Sequence, residues 1–156
     1  RNSVTHLELD KKKIYEYQQN REPYLMIDHA TEVLPGKSAK GYKDFDSDEW
    51  FFKVHWKNDP NVPGMLQIEA LVQMSALSIL TLPGNKGKIV YLTGANNLRF
   101  LKKITPKTRL YIETKIIRFN RGIAICEGLG LIEKQIACKA EFNLILPEEI
   151  KKYSVK

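Results

Sequence analysis

The stretch from Pro60 to Leu80 restricts what this chain can fold into more than any other. From Met65 to Leu80 eleven of the sixteen residues are apolar, among them Ile68, Leu71, Val72, Met74, Leu77 and Ile79, and no wide polar face is left. A helix of that composition has to be enclosed by protein on most sides rather than laid on a surface. Its start is equally constrained: Pro60 and Pro63 forbid helix upstream, Pro63 suits a first-turn position, and Gly64 permits another backbone to come close. The first amides of the helix then lack intrahelical partners. Backed by the helix dipole, they suit a carbonyl oxygen that gathers negative charge.

The rest of the chain supplies what such a helix needs around it. Tyr24 to Val33 reads as a strand closed by the turn Leu34-Pro35-Gly36, and Lys37 to Phe45 returns as its hairpin partner. Four more strand segments follow the loop Pro83-Gly84-Asn85-Lys86-Gly87: Ile89 to Phe100, interrupted near Gly94, then Arg109 to Phe119, Ile123 to Ile132, and Gln135 to Leu146. In the last, apolar residues alternate with polar ones except at Ala137 and Ile145, so one face is buried. Asn120-Arg121-Gly122 and Glu133-Lys134 read as hairpin turns. Leu7 to Gln19 is expected to be a short helical cover. Ser47 before Asp48 and Glu49 is expected to cap a short turn that carries Trp50, Phe51 and Phe52 into the core and delivers His55. One buried helix held by a curved antiparallel sheet is an α+β architecture, and residues 1–156 are read as one domain.

Two residues break the apolar surface of the helix with chemistry. Glu69 and Gln73 lie four apart, one turn on the same face, so Gln73 is placed to orient the carboxyl group. A carboxyl in apolar surroundings resists ionising, its pKa rises, and it becomes a general acid near neutral pH. His55 is the side chain whose ordinary pKa best fits proton abstraction at pH 7. One histidine, one buried carboxyl and one set of free amides make a proton-transfer site beside a carbonyl.

Composition removes several other classes. The helix is interrupted by Glu69 and Gln73 and no other run approaches about 18 apolar residues, so no membrane span is expected. No secretory signal opens the chain, and a sequence starting at Arg1 without Met is expected to continue upstream. The formal net charge of +7 calls for acidic partners, yet the lysines and arginines are scattered and match no nucleic-acid motif. With Glu133-Lys134 as a two-residue turn, paired positions sum to 267, Cys138 faces Leu129, and Cys126 falls on the other face of the sheet. A disulfide and a metal site are therefore not expected, and two packed, reduced thiols fit a cytoplasmic protein.

The run His55-Trp56-Lys57-Asn58-Asp59-Pro60-Asn61-Val62-Pro63-Gly64, with Met65-Leu66, Glu69-Ala70 and Gln73 after it, resembles the active-site signature HFPxxPxMPGxLxxEAxxQ of the β-hydroxyacyl-[acyl-carrier-protein] dehydratases. The opening Asn20-Arg21-Glu22-Pro23-Tyr24-Leu25-Met26-Ile27-Asp28 is similar to the family's HRxPFLLVD, and Leu92-Thr93-Gly94 with Arg99-Phe100 to its LxGxxxxRF strand. Glu at position 69 resembles the dedicated dehydratases rather than the dehydratase/isomerases, which usually carry Asp there. The resemblance implies a hot-dog fold, a homodimer whose two sheets join, and often a trimer of dimers. It implies removal of water from a (3R)-3-hydroxyacyl thioester on acyl carrier protein to give the trans-2-enoyl product, with no cofactor. His55 and Glu69 would be the catalytic pair, supplied by different subunits, and the Gly64 amide would polarise the thioester carbonyl. The basic surface on which the carrier docks would map to Arg99, Lys102 and Lys103.

Val54, Lys57 and the pair Asn61-Val62 depart from the signature. Asn61, three residues before Gly64, brings a donor and an acceptor where the family has an apolar side chain; it is expected either to bond its own loop or to meet a polar group of the substrate. Two other readings stay open at this level: another thioester activity of the same fold, a thioesterase or an enoyl-CoA hydratase, and a non-catalytic acyl-carrier-binding module. Hydratases of the fold carry D-x-N-P-x-H, which the order Asn58-Asp59-Pro60-Asn61 after the histidine does not match.

Overall fold

The computed structural model describes residues 5–153 of the 156. Its elements run β1 (Leu7–Leu9), α1 (Lys11–Tyr17), β2 (His29–Leu34), β3 (Ser38–Phe45), a 3-10 turn (Trp50–Lys53), α2 (Gly64–Leu80), β4 (Tyr91–Phe100), β5 (Thr108–Asn120), β6 (Ile123–Ile132), β7 (Gln135–Ile145) and α3 (Pro147–Lys151). All seven strands form one antiparallel sheet in the order β1-β2-β3-β5-β6-β7-β4. The helix expected at the centre is there: α2 packs against β2, β3, β5, β6 and β7, and Ile68, Leu71, Met74, Leu77 and Ile79 are wholly enclosed.

Small side chains let the sheet close on the helix. Ala39, Thr114, Gly128 and Ala140 pair in one row across β3, β5, β6 and β7, and all four are buried. A Cβ on Gly128 would come within 3.2 Å of Leu71 Cβ, so the distance between sheet and helix is set by residues without bulk. The hairpin of β2 and β3 is tied to the same helix, since the Gly36 N–H donates to Ser78 O at 2.7 Å. At both expected hairpin turns two central residues have positive φ, 53° and 83° for Arg121 and Gly122, 48° and 68° for Glu133 and Lys134, the conformation that matches the twist of the flanking strands, and Asn120 belongs to β5 rather than to the turn. The interruption expected near Gly94 is a register shift between Leu92 and Gly94, and a second lies between Asn96 and Arg99. α1 is capped by Asp10, whose Oδ1 accepts the Lys13 N–H at 2.9 Å.

Several expectations need correction. β2 begins at His29, not Tyr24; Leu25, Met26 and Ile27 are buried as a strand would be, but the Met26 N–H is taken by the Gln73 side chain instead of a neighbouring strand. Ser47 does not cap the 3-10 turn, which starts after Glu49 with no side-chain cap, and Trp50 remains 48% exposed while Phe51 and Phe52 enter the core. β1 and α3 were not expected, although Pro147 with Glu148 and Glu149 in the first turn is a recognisable helix start. The register of the last hairpin also shifts. Leu131 pairs Ile136, but Gly130 pairs Cys138, so Ala137 is an extra residue and Cys138 faces Gly130 rather than Leu129. The bulge turns Cys138 toward the interior, where Cys126 also lies; the two thiols are free, and what keeps them apart is that Cys138 sits opposite Gly130, four positions along β6 from Cys126, rather than that they face opposite ways. Burial pushes the Cys138 thiol up to about 12. Among the described residues no helix is long and apolar enough to cross a membrane.

Candidate active site

The site is assembled where the 3-10 turn, the loop after it and the start of α2 meet. Phe51 packs edge-on against Phe45 and Phe52, at centroid distances of 6.0 and 4.8 Å, which fixes the turn on the core. Lys43, 7% exposed on the inward face of β3, reaches Glu49 at 3.3 Å and Asp28 at 3.6 Å, and so ties the residue that precedes the turn to the hairpin. The turn ends with the His55 N–H donating to Phe51 O at 2.8 Å. The chain then reverses at Trp56, which has φ 58°, and the Asp59 N–H donates to Trp56 O at 2.8 Å.

In this loop His55 Nδ1 donates to Asn61 O at 3.1 Å. A carbonyl can only accept, so the proton sits on Nδ1 and the Nε2 lone pair is left for a substrate. Pro63 precedes α2 and its carbonyl accepts the Leu66 and Gln67 amides at 3.0 and 3.1 Å. The Gly64 and Met65 amides have no acceptor among the described residues. Phe100 lies directly over this end: a Cβ on Gly64 would stand 2.9 Å from the ring's Cε1. The expected Pro63 and Gly64 roles shift by one place, with Pro63 as the cap and Gly64 as the first helical residue.

Glu69 is half-buried on α2, and its Oε2 accepts from Gln73 Nε2 at 2.8 Å. Burial raises its pKa; hydrogen bonds from Gln73 and the Tyr24 hydroxyl oppose that rise without cancelling it. Tyr24 in turn is raised by its own burial and by the Glu69 charge beside it. Gln73, only 4% exposed, is fully used: Oε1 accepts the Met26 N–H at 2.8 Å, and Nε2 also donates to Tyr24 O at 3.0 Å. It joins the carboxyl to the loop that would otherwise be a strand.

Within one chain no hydrogen bond or ion pair connects His55 with Glu69 among the described residues. The three basic residues expected to receive a carrier each have a different setting. Arg99 lines a groove of about 680 Å³ on the outer face of the sheet with Lys139 and Glu141, Lys102 Nζ donates to Gln135 Oε1 at 3.0 Å, and Lys103 is paired with Asp59 at 2.8 Å. The Asn61 side chain bonds its own loop, Nδ2 donating to Asp59 O at 2.7 Å. Sequence reasoning missed Tyr24, Lys43 and the Asn61 carbonyl. A lysine two places from Gly41 and Phe45 on an inward strand face was the available signal for Lys43; nothing in side-chain chemistry announces a backbone acceptor.

Residues 19–141 match the model of the FabA-like domain family. The chain is 36% identical over 140 residues to a 3-hydroxyacyl-[acyl-carrier-protein] dehydratase FabZ of Bacillus subtilis, covering 90% of this chain and 99% of that protein. It is 37% identical over 133 residues to a FabZ of Clostridium novyi, covering 84% and 94%. Among solved structures, the dehydratase heterocomplex ApeI:P from Xenorhabdus doucetiae superposes with TM-score 0.71 at 14% identity over 92% of this chain and 97% of that one. An uncharacterised protein from Pyrococcus horikoshii does so with TM-score 0.64 at 18% identity over 84% and 91%. At these identities the structural likeness establishes the hot-dog fold.

Proposed function

We infer that this chain, which belongs to the FabA-like family, is a 3-hydroxyacyl-[acyl-carrier-protein] dehydratase that works through His55, Glu69 and the amide of Gly64. It is a hydro-lyase: a 3-hydroxyacyl thioester carried by acyl carrier protein loses water and leaves as the 2-enoyl thioester. His55 Nε2 takes the proton next to the thioester carbonyl, and the Gly64 N–H at the head of α2 holds the oxygen on which negative charge collects. Glu69, whose pKa burial raises, gives its proton to the departing 3-hydroxyl, so the C–O bond breaks as the C–C double bond forms. The imidazolium and the carboxylate left behind exchange one proton to restore the site. Gln73 holds the carboxyl in place throughout. The observation that carries this reading is the raised Glu69 carboxyl on the helix whose first amides are free, with the histidine's Nε2 left open by its Nδ1 contact.

The assembly is a homodimer with the catalytic pair contributed by two chains. β4 is the terminal strand of the sheet, ten residues long, and exposes Tyr91, Leu92 and Phe100, an edge that soluble proteins pair or cover. Val54, Trp56, Met65 and Leu101 are likewise exposed around the site. Trimers of such dimers are the expected higher order, and the cytoplasm the expected compartment. The acidic carrier approaches the basic residues Arg99 and Lys102, next to Lys103. Mixing His55→Ala with Glu69→Gln tests the shared site. Each variant alone is expected to lose about 10²- to 10⁴-fold in turnover, and subunit exchange should return part of it; verified exchange without recovery would refute the two-chain site.

A further inference from the structure

We propose that Asn61 is the positioning residue that fixes which nitrogen of His55 carries the proton, with the Asp59–Lys103 ion pair holding it in place; this rests on the reading of His55 as the base. The contact that matters is made by a backbone group, the Asn61 carbonyl, which accepts from His55 Nδ1 at 3.1 Å. Neutral imidazole left to itself favours the proton on Nε2, the nitrogen that must be free to act. The working tautomer therefore depends on one carbonyl staying where it is.

That carbonyl is restrained from both sides. The same peptide unit carries the Val62 N–H, which donates to Ile104 O at 2.9 Å, so one planar group bridges the segment after β4 to the imidazole. Hydrogen bonds in such a chain polarise one another, which strengthens the bond to Nδ1. On the preceding side the Asn61 amide grips Asp59 O at 2.7 Å, and the Asp59 carboxylate accepts from Lys103 Nζ at 2.8 and 2.9 Å. Lys103 and Ile104 are neighbours, so two adjacent residues clamp the loop at 59 and at 62. The ion pair is more than half exposed on each side, 62% and 56%, so it adds little to stability; its effect is on geometry. Because Asp59 neutralises Lys103, this lysine serves the loop rather than the carrier.

The test is made on substrate-free protein and on turnover together. Long-range proton–nitrogen correlation spectra of protein labelled at its three histidines, with His55 assigned by His55→Ala, are expected to show the Nδ1-protonated ring in the parent chain. In Asn61→Ala the ring should move to a mixture or to the Nε2-protonated form, with kcat down about tenfold and KM within about twofold, since small misplacements of a catalytic group cost up to about 10²-fold. Lys103→Met should shift both readouts the same way by less, equally for carrier-bound and small thioester substrates. The exchanged pair Asp59→Lys/Lys103→Asp should restore them. An unchanged tautomer in folded Asn61→Ala overturns the proposal, and so does a Lys103→Met defect confined to KM for carrier-bound substrate. A parent chain that turns over no hydroxyacyl thioester would refute the assigned reaction and still leave the tautomer result to decide this one.

Discussion

Replacing Gln73 by Leu separates the structural and chemical duties of the site. The side chain is buried and makes three bonds, accepting from Met26 N–H at 2.8 Å and donating to Tyr24 O at 3.0 Å and Glu69 Oε2 at 2.8 Å. Leucine fills nearly the same space but strands the Met26 N–H in the core, a penalty of about 1–3 kcal/mol, and forfeits two further bonds at about 0.5–1.5 kcal/mol each. The expected loss is about 2–6 kcal/mol, a large share of a typical stability of about 5–15 kcal/mol, read as a lower urea midpoint at unchanged slope. Turnover should fall about 10- to 100-fold, because Glu69 loses one of the two donors that hold it and keeps only the Tyr24 hydroxyl, while KM changes little. A Leu variant within about 0.5 kcal/mol of the parent and within twofold in kcat would refute the role assigned to Gln73.

Two further outcomes follow from charge. Burial raises the Glu69 pKa, so between the ordinary carboxyl value and the raised one the folded chain binds more protons than the unfolded chain and stability falls as pH rises through that window. Glu69→Gln removes this titration, and its urea midpoint should gain on the parent's across the window; a constant difference would mean that the carboxyl is not perturbed. Arg99→Glu with Lys102→Glu should raise KM for carrier-bound substrate and leave a small thioester mimic unaffected, an effect that weakens with salt. Equal changes for both substrates would remove these residues from the carrier's path.

The helix, its start and the hairpins were legible because each rests on a local rule: enclosed apolar composition, Pro63-Gly64 before Met65, and two-residue turns. The Glu69–Gln73 contact was legible from a spacing of four. What escaped depended on long-range pairing. Leu25 to Ile27 are as apolar as a strand, yet the Met26 N–H goes to the side chain of Gln73, 47 residues away, and not to a neighbouring strand. The lapse in alternation at Ala137 was visible, but whether such a lapse is a bulge is decided by the partner strand, and it moved Cys138 to the face where Cys126 lies. Asn61 drew notice for its side chain, while its larger consequence comes from its carbonyl, which sequence does not distinguish from any other.

The central claim is tested most directly by the mass of a 3-hydroxyacyl-carrier protein after incubation with the chain. The acyl-carrier species should lose the mass of one water with the parent protein and keep its mass with Glu69→Gln. An unchanged mass with the parent, or release of the acyl chain to leave the free carrier thiol, would contradict the dehydratase reading.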